Sequence, residues 1–486
     1  MLFNSIDFAI FLPIVFFTYW ALDGKLRAQN FLLIAASYLF YGWWDWRFLS
    51  LIFFSSAVDY LVGIGFSKID DARKRRLLLL TSIAVNLGFL GFFKYYNFFL
   101  DNLIEAYTFF GQQINPRGLD IVLPVGISFY TLQTLSYTID VYRRKLEPTR
   151  DPVAFFAFVS FFPQLVAGPI ERATNLLPQF FQRRTFDYPK AVDGMRQMLW
   201  GLFKKIVIAD NCAIYVNDIF ANYSDYSGIT LFMGGVLFAF QIYADFSGYS
   251  DIAIGCARLF GFSLMRNFAF PYFSRDIAEF WRRWHISLST WFRDYVYIPL
   301  GGSFGSQWEK IRNTMVVFMV SGFWHGARWT FIIWGALNAL YFLPLLLAKR
   351  NRKNMDTVAE GRILPGVADL LRMTSTFLLV SLAWVFFRAE SLAHAVAYLK
   401  RMFSSAMLES PVKDVWAINT GNHVIYLSLA LIGFTILEWV QRDKQHALQL
   451  RTARLPRVVR WSVYYGIIIV CFFMNGAQQD FIYFQF

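Results

Sequence analysis

The chain has 486 residues, 57% of them apolar and 20% aromatic, with only 16% charged, against roughly 25% in an ordinary soluble domain. That balance excludes a conventional water-soluble globule and suits a chain solvated by lipid. The net charge of +13 does not indicate nucleic acid, because the basic residues form short clusters between apolar stretches rather than one polar face.

A membrane-spanning helix needs about 20 mostly apolar residues. On that length the first candidates lie near 6–22, 29–44, 48–66, 77–100, 121–141 and 152–168. Met1–Ser5 lacks a basic n-region and a small-residue cleavage site, so the first stretch is expected to stay as a membrane helix. Further candidates lie near 196–220, 229–258, 312–347 as a hairpin, 368–388, 422–440 and 460–475. The expected fold is an all-α polytopic membrane protein of about 11–13 membrane helices plus re-entrant or interfacial ones. No Pro/Gly/Ser-rich linker or repeat divides it, so residues 1–486 read as a single membrane domain.

The basic clusters Arg73–Arg76, Arg143–Lys145, Lys349–Lys353 and Arg451–Arg460 read as cytoplasmic loops under the positive-inside rule, which places Met1 outside. Residues 260–310 carry Arg266, Arg275, Asp276, Glu279, Arg282, Arg283, His285, Arg293 and Asp294 in otherwise membrane-compatible sequence. Each charge at the bilayer centre would cost roughly 2.5–3.5 kcal/mol, so this stretch must be buried in protein, line a water-filled cavity or lie at the interface. Pro124, Pro163, Pro169 and Pro271 mark places where helices start, kink or re-enter.

Histidine alone trades protons near neutrality at its ordinary pKa, and the chain has five. His394, His423 and His446 fall near expected helix ends or basic loops, where a histidine needs no special role. His325 lies in an apolar run from Met315 to Leu347 whose only residue charged at neutral pH is Arg328. Either it hydrogen-bonds a neighbouring helix or it is chemically active; Gly322 and Gly326 beside it allow close backbone approach. His285 falls in Glu279–Tyr295, which as a helix would be amphipathic. That suits the interface, or arginines over a cytoplasmic opening that attract the phosphates of a nucleotide-like cofactor. Asp245 and Asp251 are either a carboxylate pair or groups that orient helices. Cys212, Cys256 and Cys471 show no metal or disulfide spacing, and no P-loop, GxGxxG, GxSxG or HExxH is present.

Trp324-His325-Gly326 together with Phe280-Trp281-Arg282-Arg283-Trp284-His285-Ile286-Ser287-Leu288 resembles the membrane-bound O-acyltransferase family. Leu123–Gln133, Val166–Ile170, Asp245–Asp251, Asn267–Tyr272 and Tyr297–Gly302 are similar to its bacterial branch of alginate O-acetyltransferases and teichoic-acid D-alanylation proteins. One departure is Asn338, where many members of that branch carry histidine. The resemblance implies a helical ring, thin at its centre, with a funnel and tunnel meeting at the family histidine. It makes His325 the general base and His285 the second family histidine. The donor it implies is acetyl-CoA, a substrate rather than a bound cofactor, with no metal. The acceptor is a polysaccharide hydroxyl outside the inner membrane, with a periplasmic SGNH-type acetyltransferase as partner. Arg282, Arg283 and Arg293 are the expected contacts of the donor phosphates, with Lys204 and Lys205 as further candidates. Tyr483, in the aromatic stretch Gln478–Phe486, either anchors the terminus at the interface or carries the acyl group between donor and acceptor. Two other readings are a lipid or protein O-acyltransferase of the same family and a transporter with His325 as proton relay. The transporter would need paired carboxylates on facing helices or inverted repeats, neither of which is evident.

Overall fold

The computed structural model describes residues 1–114, 116, 118–412, 414, 422–450, 456–476 and 479–482. Tyr483 and the first five residues of the Arg451–Arg460 run lie outside the described residues. Those described form helices joined by turns, with no strand among them. Among the described residues, six helical stretches are long and apolar enough to cross a membrane: Leu26–Lys68, Ala72–Phe109, Gly228–Leu259, Trp329–Leu347, Val367–Arg388 and His423–Val440. The first is two helices meeting through a tight turn at Trp46–Phe48.

Several other apolar runs are helical but shorter than their hydropathy suggests. Ile6–Ala21 and Ile127–Tyr142 have 16 residues each, or about 24 Å at 1.5 Å per residue. The 152–168 run becomes two helices, Pro152–Ser160 and Phe162–Leu165. Asp151 caps the first by accepting from the Val153 N–H at 2.8 Å. Pro163 falls in the first turn of the second, where its missing N–H costs nothing.

The chain groups into two compact units. The first comprises residues 1–191 and 256–265. An aromatic cluster of Phe155, Phe158, Phe161, Phe162, Phe180 and Phe262 forms part of its core, each ring fully buried. Helix Ile127–Tyr142 starts at Gly126, whose φ of +76° and close approach to the Leu165 carbonyl leave no room for a Cβ. At the centre of this unit Asp59, fully buried, accepts hydrogen bonds from Ser82, Asn86 and Thr138. That knot ties helices Leu49–Lys68, Ala72–Leu90 and Ile127–Tyr142 together through neutral donors.

The second unit comprises residues 192–255 and 266–486. Helix Tyr188–Phe203 passes into a π-helical turn, Lys204–Ala209, and on into Asp210–Ala221. Gly201 and Gly248 let two helix backbones touch, since a Cβ on Gly201 would lie 2.5 Å from the Gly248 carbonyl oxygen. Helices Gln307–His325 and Trp329–Leu347 form the hairpin expected at 312–347. Between the long helices lie two seven-residue helices, Ile277–Arg283 and Ile286–Phe292, so the charged 260–310 region is short helices and loops rather than a span.

Candidate active site

Helix Gln307–His325 opens with a capping box in which Ser306 and Glu309 satisfy each other's backbone N–H groups. It ends on His325, and four residues later Trp329 starts the return helix. The hairpin is tight: a Cβ at Gly322 would overlap the Phe331 carbonyl, and one at Gly335 the Phe318 carbonyl. Glycine at both positions therefore allows the helices to close onto each other. His325 sits at the closed end, 4% exposed, its ring walled by Trp324, Trp334 and Phe387 at centroid distances of 5.0, 5.3 and 5.4 Å. Asn338 donates to the Trp334 carbonyl at 2.8 Å, so it braces the turn that carries one of these walls.

His285 is not within a helix. It occupies a left-handed corner, φ 43°, between Ile277–Arg283 and Ile286–Phe292, so the amphipathic helix expected across Glu279–Tyr295 is broken there. Such backbone is sparsely populated by residues other than glycine and persists only when the surroundings hold it. Asn267 does the holding. Its carbonyl accepts from Ile286 N–H at 2.9 Å, its Oδ1 accepts from the Ser287 hydroxyl at 2.9 Å, and its Nδ2 donates to Ser250 at 3.1 Å. Nothing in the local sequence singles out Asn267 for this role. The corner turns the His285 ring against Phe246, 4.6 Å away, and leaves it 1% exposed. Burial lowers its imidazolium pKa from the ordinary value to about 3, so the ring is neutral at physiological pH.

The two imidazoles lie 6.3 Å apart between centroids and open onto one cavity of about 460 Å³, a volume in the range of small-molecule sites. Arg282, Arg293 and Arg352 border the same cavity, as do Ser289 and Ser321. Arg282 also donates to the Asn351 and Asn354 carbonyls at 2.6 and 2.7 Å, which fastens the 351–355 loop over the cavity. Arg283 does not border it: its guanidinium pairs with Glu279 at 2.8 Å and donates to the Ala269 and Asp356 carbonyls. Adjacent residues on a helix point about 100° apart, so Arg282 and Arg283 cannot serve one site equally. Arg352 belongs to a cluster that reads as topology alone in the sequence.

Lys204 and Lys205 do not border this cavity. Both are buried by the π-helical turn. Lys204 pairs with Asp251 at 2.5 Å, and Lys205 pairs with Asp210 and Asp245 at 2.8 and 2.9 Å. Asp245 and Asp251 thus pair with two different lysines. Lys205 also donates to the Gln479 carbonyl at 2.9 Å, and Asp245 accepts from the Ile482 N–H at 2.7 Å. Phe481 lies against Tyr249 and Phe246, at 4.9 and 6.0 Å, so Phe246 touches both the C-terminal segment and His285. The remaining histidines have local partners: His446 with Asp193 at 3.2 Å, His423 with Asn211 and Tyr215 at 2.7 and 2.8 Å, and His394 stacked on Tyr223. His446 is 1% exposed, a core residue rather than an interfacial one.

A family model described as MBOAT, the membrane-bound O-acyltransferase family, matches residues 149–385, the span that holds both His285 and His325. The chain is 41% identical over 441 residues to a probable alginate O-acetylase of Pseudomonas aeruginosa, covering 89% of this chain and 81% of that one. It is 37% identical over 435 residues to a peptidoglycan O-acetyltransferase of Helicobacter pylori, covering 83% and 80%. Similarity to a teichoic acid D-alanyltransferase of Bacillus subtilis is 26% over 285 residues, covering 56% and 70%. With its apolar helices and its histidine-lined cavity, the chain belongs to the membrane-bound O-acyltransferase family, in the branch that contains the alginate O-acetylases, and is a multi-pass membrane acyltransferase.

Proposed function

We propose that this enzyme transfers an acetyl group from cytoplasmic acetyl-CoA to hydroxyls of an extracytoplasmic polysaccharide, with His325 as general base. The observation that carries the reading is the single cavity onto which two buried histidines and three arginines open. Two relatives named for O-acetylation act by name on glycan polymers, alginate and peptidoglycan, which favours a polysaccharide acceptor over a lipid or protein. A donor with phosphates suits Arg282, Arg293 and Arg352, since guanidinium groups bind phosphate through paired charge-assisted hydrogen bonds.

In the chemical step an acceptor hydroxyl attacks the thioester carbonyl while His325 takes the hydroxyl proton. The tetrahedral intermediate then expels the thiolate, which recovers that proton, so the transfer is neutral overall. His285, neutral and facing the same volume, orients the reacting carbonyl or the acceptor. Donor and polymer lie on opposite sides of the inner membrane in this reading, so the hydroxyl that attacks the thioester is that of a carrier, and the polymer hydroxyl then takes the acyl group from the carrier ester, returning the carrier hydroxyl. Tyr483, one residue beyond Ile482, supplies the carrier hydroxyl, and a periplasmic SGNH-type acetyltransferase completes delivery. The test is His325→Ala in a strain whose exopolysaccharide is analysed by mass spectrometry, with protein level and membrane insertion checked in parallel. Loss of polymer acetylation at normal expression is expected; retained acetylation would overturn the base assignment, and an acylated lipid or protein in place of polymer would overturn the acceptor.

A further inference from the structure

The buried ions around Lys205 have a feature that acyl transfer at the histidines does not require. An ammonium has three N–H donors and no acceptor. Lys205 directs its three contacts to Asp210, to Asp245 and to the backbone carbonyl of Gln479. Asp245 gives one oxygen to Lys205 and the other to the backbone N–H of Ile482. Both side chains are more than nine-tenths buried. Without the C-terminal segment, a charged donor and a charged acceptor would each be left short of a partner in the protein interior, which is unfavourable. The cluster is complete only with residues 479–482 in place.

The contacts read the backbone of that segment, not its charge. Gln479 offers its carbonyl and Ile482 its N–H, while the Asp480 side chain is exposed and stays outside the cluster. Apolar contact supplies the remainder: Phe481 and Ile482 are each 2% exposed, and Phe481 packs on Tyr249 and Phe246. Asp245, Phe246 and Tyr249 stand at i, i+1 and i+4 of helix Gly228–Leu259, so one helix presents both the acceptor and the aromatic seat. The same Phe246 ring backs His285.

We propose that Lys205 and Asp245 form a peptide-binding clasp whose ligand is the C-terminal segment of this chain, and that they are positioning residues for the group that segment delivers to the histidines. The docking stands on the contacts alone; the catalytic use rests on the reading of Tyr483 as acyl carrier. The clasp explains why the two buried side chains of the segment, Phe481 and Ile482, are apolar, and why Lys205 lies within an otherwise apolar helical stretch.

The experiment uses the full chain in membranes, with photoreactive benzoylphenylalanine in place of Phe481 and cross-linked peptides mapped by mass spectrometry. Wild-type protein should cross-link to helix Gly228–Leu259 around Phe246 and Tyr249. Asp245→Asn should lower that yield by about tenfold, the size of one charge-assisted hydrogen bond to a buried ion. Ile482→Pro removes the N–H that Asp245 accepts while keeping an apolar side chain at the buried position, so it serves as the second variant if Asp245→Asn does not fold. Tyr483→Phe should leave the cross-link intact. Undiminished cross-linking in both Asp245→Asn and Ile482→Pro would overturn the clasp. Polymer acetylation measured on the same variants separates the two parts: turnover should fall with the cross-link while the KM for donor stays put. A lost cross-link with full acetylation would leave the binding site standing and overturn the positioning role. Full acetylation in Tyr483→Phe would instead remove the carrier reading and leave the clasp untouched.

Discussion

Two buried carboxyls, each on a long apolar helix, serve different ends. Asp59 is met by a serine, an asparagine and a threonine from the two neighbouring helices of its own unit. Asp245 is met by a lysine and by a backbone N–H 237 residues away along the chain. Neutral donors fixed on adjacent helices satisfy a carboxyl once and for all, so the first arrangement holds helices together. A carboxylate that shares a cation and completes its shell with a distant segment instead couples that segment to its surroundings. Polarity inside the membrane domain is therefore not evidence of chemistry; what the polar group is bonded to decides its role.

That contrast breaks or survives on a graded set of variants. The largest effect falls on His325→Ala, which should cut acyl transfer by at least about 10²–10⁴-fold, the usual contribution of a positioned base. Thermal stability in detergent should change little. Asp59→Leu should do the reverse. It strands three donors, each worth about 0.6 kcal/mol between membrane helices, for a loss of roughly 2 kcal/mol. Specific activity of the folded fraction should hold, and a fall in activity without a fall in melting temperature would assign Asp59 to the chemistry. Next in size is Arg352→Gln, which should raise the KM for a phosphate-bearing donor by about tenfold, as loss of one charge-assisted contact does. An unchanged KM would remove Arg352 from the donor site.

The smallest effect is a pH slope. Because burial lowers the His285 pKa to about 3, the unfolded chain binds a proton there that the folded chain refuses, between that value and the ordinary 6.5. Stability supplied by the buried neutral ring is fully present above 6.5 and is lost as pH falls toward 3. Melting temperature should therefore decline with acid over that window, and His285→Gln should flatten the decline. An equally steep decline in the variant would locate the acid sensitivity elsewhere.

Residue type and pattern alone determined a great deal. Apolar run length fixes the positions of most helices, because the need to satisfy every backbone group in lipid leaves helix as the available form. An ionisable group inside an apolar run is conspicuous, and His325 was found that way. The hairpin around it was legible too, since Gly322 and the apolar run to Leu347 permit a close crossing. Tertiary structure decided which polar groups share a site. Arg282 and Arg283 are equivalent in composition, but they diverge on a helix of seven residues, and one borders the cavity while the other is held by Glu279. Lys204 and Lys205 resemble phosphate ligands until the π-helical turn buries them against carboxylates. The left-handed corner at His285 depends on Asn267 from a separate loop. The seating of Gln479–Ile482 depends on charges more than two hundred residues distant. Such pairings are set by long-range packing, which local periodicity does not encode, because a helix face records only that it is buried and not what it is buried against.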